Sequence, residues 1–298
     1  MAVDSEELSA LIASCSNSGR WGEDDELGTL NLITPDVRRR AAGLVREGVT
    51  ISLASDLSLE STPYSDSLEE HSAYADPAAP MAVADSMWLR IHGWSTHLDA
   101  LGHIYNDGVG YNGRLKEEVF DAGGLRANAI TAMRDGIFTR GVLLDVAAAL
   151  GRQWLPADHG VSREELDEAE RRAGIRVEAG DAVFVHVGLK ARLRSEPSED
   201  SDARAGLRLD AVIWLWERDV ALFGGDCVEC LPGYDAVLSL PLHQLGIAAM
   251  GLALLDWPDL ERLLAACARY DRHDFLFTVA PLPIVGGTGS PVNPIVAF

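Results

Sequence analysis

Three of the chain's eight histidines fall within one short segment, HGWSTHLDALGH, as His92, His97 and His103, and Asp99 stands between the last two. If this segment is extended, side chains alternate between faces, so His97 and Asp99 direct an imidazole and a carboxylate at a common point. Imidazole nitrogen with carboxylate oxygen suits a borderline divalent ion such as zinc, manganese or iron, whereas calcium asks for oxygen alone. The same pair could instead form a buried histidine–carboxylate hydrogen bond. His103 follows a turn through Ala100 to Gly102 and can return to the same cavity, either as the general acid or base or as a ligand of a second ion. His92, five residues before His97, falls on the opposite face of an unbroken strand. A bulge at Gly93 would turn it inward as a ligand; without one it packs behind the site. Trp94, Tyr105, Tyr111 and Asn112 flank the cluster and could line a pocket for a flat or cyclic substrate, or serve packing.

The elements that must hold these residues are legible from periodicity. Residues 86–101 alternate well enough for one or two strands meeting at Gly93. GVLLDVA at 141–147 and DAVFVHVG at 181–188 have few polar breaks and read as central strands covered on both faces. Thr34 and Pro35 open a helix with an apolar stripe at Val37, Ala41, Leu44 and Val45, stopped by Gly48. The alternation VTISL that follows reads as a strand. Ser162 with Glu165 makes a capping box for a helix ending near Gly174. Further helices are expected around AVIWLWERD, after Pro241 and near Pro258, with strands at VALFGGD and FLFTVAP. Residues 61–86 are rich in proline, serine and alanine without periodicity, and 195–206 are strongly polar; both read as long loops. His186 interrupts a buried strand, where a core hydrogen bond is its expected fate. The order of elements predicts one mixed-sheet α/β domain over 1–298.

Composition excludes several functions. Lysine and arginine number 25 against 46 aspartates and glutamates, a formal charge of -21. A surface this acidic repels a phosphate backbone, and no basic patch offsets it, so nucleic acid is not an expected partner. No stretch approaches the roughly 20 apolar residues that span a bilayer. The N-terminal residues carry acids where a secretory signal carries positive charge, so the expected address is the cytoplasm. Four cysteines make no disulfide framework; Cys227 and Cys230 are the only close pair, half of a zinc site, a redox pair or ordinary buried thiols.

The segment THLDALGH, residues 96 to 103, resembles the second half of the mark H-x-G-T-H-x-D-x-x-x-H of the putative cyclase family, which includes bacterial kynurenine formamidases, isatin hydrolases and enzymes of polyketide ring closure. Gly93 sits where the family's first histidine falls, and His92 stands one residue earlier. A one-residue insertion reconciles them. His243 followed by Asp256 in LHQLGIAAMGLALLDW is similar to the family's late histidine and glutamate, which complete a second metal position or line the pocket. Read alone, Asp256 could also cap the helix before Pro258, and His243 could be a helix-start histidine. The opening RWGEDDELGTLNLIT and the closing GGTGSPVNP look like those of a bacterial branch of the family. The resemblance implies a swivelling β/β/α fold, a homo-oligomer, and a divalent metal, zinc or manganese, held by His97, Asp99, His92, His243 and Asp256. With His103 moving protons, such a site hydrolyses an amide, lactam or lactone of a small molecule. The same ligands could promote ring closure, and a non-catalytic binding protein on this fold is the third reading.

Overall fold

The longest apolar runs form the middle of one nine-stranded mixed sheet. In this computed structural model, which describes residues 5–59, 68–75, 77–78, 81–196, 203–230 and 238–298, its strands come from almost the whole length of the chain. They are β1 (Thr50–Ser52), β2 (His97–Asp99), β3 (Ile137–Asp145), β4 (Ala182–His186), β5 (Leu222–Gly225), β6 (Ala253–Asp256), β7 (Asp274–Val279), β8 (Gly289–Pro291) and β9 (Ile295–Ala297). Their spatial order is β1-β9-β7-β3-β4-β5-β6-β2-β8.

Strands β3 to β6 run parallel to one another, and every residue of Val142–Leu144 and Ala182–Val185 is 0% exposed. Such two-sided burial explains why these runs lack polar alternation. Phe184 on β4 meets Phe275 and Phe277 of β7 across β3, with ring centroids 5.9 and 5.0 Å apart. Antiparallel strands complete both ends: β7, β9 and β1 beyond β3, and β2 and β8 beyond β6.

The helices follow their caps. Thr34 Oγ1 accepts a hydrogen bond from the Val37 amide and Pro35 occupies the first turn, but this helix ends at Ala42 and Leu44 and Val45 lie in the turns after it. The reciprocal Ser162–Glu165 box is present, and the helix Arg163–Ala173 ends on Gly174 in the left-handed region at φ 65°. It turns Leu166 and Ala169 inward and packs on β3.

Two expected loops differ. Within 61–86, Leu68–Ala75 pairs antiparallel with Val83–Leu89 as a hairpin; residues 60–67, 76 and 79–80 lie outside the described residues. Most of the hairpin is exposed on both faces, so no burial pattern marks its strands in the sequence. His71 reaches across it to Asp85 at 3.0 Å. Of 195–206, residues 197–202 lie outside the described residues, whereas Ala205 and Gly206 are buried. Gly206–Leu207 pairs parallel with Gly160–Val161, and Leu207 also bridges to Glu229. A Cβ at Gly206 would stand 2.3 Å from the Glu229 carbonyl carbon, so this crossing admits only glycine. Among the described residues no helix is long and apolar enough to cross a membrane.

Candidate functional site

Strand β2 lies between β6 and β8, in a register that opposes His97 to Asp256 and Leu98 to Leu255. Directly opposed residues of an antiparallel pair share a face. His97 and Asp256 therefore stand side by side, Asp99 joins them two residues on, and Leu98 points into the core at 0% exposure. His97 Nε2 is 3.5 Å from Asp99 Oδ1 and 3.8 Å from Asp256 Oδ2. Asp256 is thus a strand residue and not a helix cap: the next helix begins at Glu261, whose amide donates to Asp259.

His92 reaches the cluster without the bulge the sequence suggests. The preceding strand stops at Leu89, residues 90–96 bend, and the first half of the expected strand does not form. Freed from strand alternation, His92 places Nδ1 3.1 Å from Asp99 Oδ1. His103 returns through a turn closed by its amide on the Ala100 carbonyl at 2.9 Å, and its ring stacks on that of His92 with centroids 3.7 Å apart and planes 3° from parallel. Gly102 makes the turn possible, since a Cβ there would meet Leu125 at 2.7 Å. His243 comes from the π-helix Leu242–Met250, a rare form that recurs at functional sites. Its Nε2 lies 3.8 Å from Asp99 Oδ2 and 3.5 Å from Asp256 Oδ2.

The far nitrogens of three imidazoles are committed elsewhere. His97 Nδ1–H donates to the Ser95 carbonyl at 2.8 Å and His243 Nδ1–H to Glu229 Oε2 at 2.9 Å, while His92 Nε2 hydrogen-bonds with the Thr288 hydroxyl at 2.9 Å. The remaining nitrogen of each ring is turned toward Asp99, where it offers a lone pair to a cation that displaces any proton held there. Asp99 is 1% exposed, yet neither of its oxygens accepts a hydrogen bond, and Asp256 Oδ1 and His92 Nδ1 are likewise without one. Although 3.1 Å apart, His92 Nδ1 and Asp99 Oδ1 are not aligned on each other. Burying a carboxylate without donors costs several kcal/mol, and a cation relieves that cost. The ligand atoms of His92, Asp99 and His103 lie within 4.8 Å of one another, as do those of His97, Asp99 and Asp256. The two triads share Asp99, and His243 borders the second. Imidazoles and carboxylates in this arrangement fit a divalent cation.

Electrostatics separates the members. Burial acts to raise the Asp99 carboxyl, but His92, His103, His97 and His243 around it hold it below the usual carboxylate range, so it is ionised. Burial pushes His103 down to about 4 against the pull of Asp99, leaving an uncharged imidazole at neutral pH. Burial also disfavours charge on His243, yet Asp256 and Glu229 outweigh it and raise that group well above its ordinary value.

Above the cluster opens a cavity of about 320 Å³, walled by Trp94, Trp257, Arg204, Val228 and Leu240. Trp94 is where the sequence places it. Tyr105, Tyr111 and Asn112 do not line this cavity. The turn Tyr111–Gly113 faces the N-terminal segment: Tyr111, 0% exposed, donates its hydroxyl to Asp25 at 2.7 Å, and the Asn112 amide donates to the carbonyls of Gly22 and Glu23, each at 2.9 Å. Tyr105 packs against Gly110 beneath Lys116. Cys227 and Cys230 are buried, burial raises both thiols, Cys230 to about 11, and neither belongs to the two groups of ligand atoms around Asp99. His186 Nδ1–H donates to Asp145 Oδ1 at 2.9 Å, the core bond expected of it. Glu229, Arg204 and Trp257 are the members that the sequence reading misses. Glu229 sits between the two cysteines and Arg204 in the polar stretch read as solvent-exposed, with no local pattern to mark either.

The likeness to known proteins bears on the same elements. A family model described as "Putative cyclase" matches residues 44–230, a span that contains the histidine cluster and Glu229. A crystal structure described as a novel cyclase superposes with a TM-score of 0.82 at 26% identity, covering 95% of this chain and 99% of that one. Isatin hydrolase A from Labrenzia aggregata, bound to benzyl benzoate, gives a TM-score of 0.61 at 19% identity over 86% of this chain and 94% of its own. Isatin hydrolase A from Ralstonia solanacearum gives 0.60 at 22% identity over 86% and 93%. These last two likenesses speak for the fold alone. A search of curated protein sequences finds no significant match. With the family model spanning well over half of the chain, and a structure described as a cyclase matching 95% of it, this chain belongs to the putative cyclase family.

Proposed function

We propose that the chain is a metal-dependent hydrolase that opens an amide, lactam or lactone of a small aromatic or cyclic molecule. The observation that carries this reading is Asp99: a buried, ionised carboxylate with no hydrogen-bond donor, ringed by His92, His97, His103 and His243. His97, Asp99 and Asp256, with His243 beside them, would hold the ion, and His103, its nitrogen within 4.8 Å of an Asp99 oxygen, is left to move protons. A zinc or manganese ion there supplies Lewis acidity, polarising a carbonyl and lowering the pKa of water toward neutrality. His103, uncharged at neutral pH, accepts the proton of the attacking water. It returns that proton to the leaving nitrogen or oxygen as the carbonyl carbon takes up the hydroxyl and the C–N or C–O bond breaks. Trp94 and Trp257 orient the ring of the substrate and keep bulk water out. The cyclase reading has in its favour the description of a structure that matches 95% of this chain; it uses the same residues on a different substrate shape. The expected result is at least one zinc or manganese per chain by elemental analysis, and turnover of an aryl formamide, a lactam or a lactone that chelation abolishes. Protein that binds no metal on titration overturns the proposal.

Glu229 tests the histidine geometry from behind. At 1% exposure and 2.9 Å from His243 Nδ1, it fixes which nitrogen of that ring is protonated and how the ring is turned. Replacing Glu229 by Gln keeps the shape and removes the charge. Metal affinity, read by competition with a chromophoric chelator, should fall by about 10- to 100-fold with the fold preserved. Unchanged affinity would mean that His243 lies outside the coordination shell.

A further inference from the structure

Among the described residues no hydrogen bond orients the His103 ring; only its amide is tied, to the Ala100 carbonyl at 2.9 Å. What the ring does have is the face of His92, with centroids 3.7 Å apart and planes 3° from parallel, whereas His243 is 6.5 Å away. The lone pair of an imidazole lies in the plane of its ring. Two rings stacked 3.7 Å apart direct theirs along parallel planes, and one ion at about 2.0–2.1 Å from a ligating nitrogen cannot lie close to both planes. The stack therefore keeps His92 and His103 from gripping a single ion together, although ligand atoms of both come within 4.8 Å of an Asp99 oxygen.

His92 lies in a bend with no strand to fix it, so its side-chain contacts set its place, and the closing segment GGTGS, residues 286–290, supplies them. The Thr288 hydroxyl bonds to His92 Nε2 at 2.9 Å; a hydroxyl can donate or accept, so either tautomer of the ring is held. Gly289 leaves room for the ring edge: a Cβ there would stand 2.9 Å from His92 Cε1 and 2.9 Å from the Leu98 carbonyl oxygen. The Thr288 carbonyl accepts the Ala100 amide at 2.9 Å, at the root of the turn that carries His103. One short segment thus fixes both the His92 ring and the start of the turn whose ring rests on it. We propose that His92 is a positioning residue and not a ligand of the ion: clamped by Thr288, its ring is the platform that holds the His103 imidazole in place for proton transfer. This departs from what the family resemblance implies for His92, and the departure has a local cause, since Gly93 stands where the family's first histidine falls. That His103 moves protons rests on the hydrolase reading; that His92 supports its ring does not.

The test compares His92→Ala, which removes the platform, with His92→Phe, which keeps an aromatic face and has no nitrogen for a metal. In protein carrying carbon-13-labelled histidine, with and without zinc, the His103 Cε1–H resonance is assigned by its absence in His103→Ala. Stacking should displace it upfield in the wild type and in His92→Phe, and His92→Ala should return it toward the free-imidazole position. Zinc affinity, read by chelator competition, should stay within about twofold in His92→Phe, whereas loss of a ligand costs more than the roughly 10- to 100-fold of an outer partner. With an aryl formamide as substrate, His92→Ala should lower kcat by about 10- to 100-fold at unchanged KM, as misplacement of a reacting group does, and His92→Phe should recover most of the loss. If neither His92 variant folds, Thr288→Val should shift and broaden the same resonance while Thr288→Ser leaves it in place. A His103 resonance indifferent to these changes overturns the inference. So does a His92→Phe protein that loses zinc, because His92 is then a ligand, and so does one that keeps the stack without recovering kcat. Absence of turnover in the wild type, with the upfield resonance and the zinc result intact, sinks the hydrolase reading and leaves the platform standing.

Discussion

Asp99→Asn should yield a folded protein that no longer retains divalent metal. Asp99 is the member common to both triads, with His92, His97 and His243 all within 3.8 Å of its oxygens. Asparagine keeps the shape and withdraws the charge from both positions at once. The affinity loss should exceed the roughly 10- to 100-fold that removal of an outer partner brings. Thermal or denaturant unfolding separates this from a structural role. Metal at a thousandfold excess over its dissociation constant should stabilise the wild type by about 4 kcal/mol and leave the variant unmoved. A variant that is destabilised without metal while still binding it would make Asp99 a structural acid.

His103→Ala should cost turnover about a hundredfold to ten-thousandfold, the usual range for loss of a general acid or base. The group containing His97, Asp99 and Asp256 does not include His103, so one metal equivalent should remain in the variant while any second is lost. The pH profile adds a signature. Burial pushes this imidazole down to about 4, so its base form accumulates as pH rises through that value, and the acid limb of kcat/KM should lie there instead of near 6.5. In His103→Ala that limb should vanish. Loss of all metal together with activity would make His103 a ligand of the primary ion.

What the sequence revealed and what it concealed divide along the range of the interactions. The shared face of His97 and Asp99 follows from a period of two, and the Ser162–Glu165 box from one helical turn; both are local and both are present. His92 defied the same reasoning because the chain leaves the strand at Leu89, and a rule for strands has no force in a bend. The pairing of His97 with Asp256 depends on a register between distant segments, which no local window contains; only resemblance pointed to Asp256 at all. Tyr111 and Asn112 were near the cluster in sequence but face the opposite way, since a single turn with Asn112 at φ 62° redirects them toward the N-terminal segment. Arg204 was hidden by its neighbours: SEPSEDSDARAG is polar on average, and the average conceals one residue that turns inward.

The placement of β2 between β6 and β8 also bears on how the protein is made. Every pairing of this three-residue strand joins segments widely separated along the chain, and such closures come late because loop entropy is lost before contacts repay it. A nascent chain that has emerged only as far as β5 already displays His92, His97, Asp99 and His103, yet lacks His243, Asp256 and the strand that aligns them. The cation position that needs Asp256 therefore cannot nucleate folding as a zinc finger's does. It is assembled by a sheet already in place, and metal capture there would report that β6 and β2 have joined it.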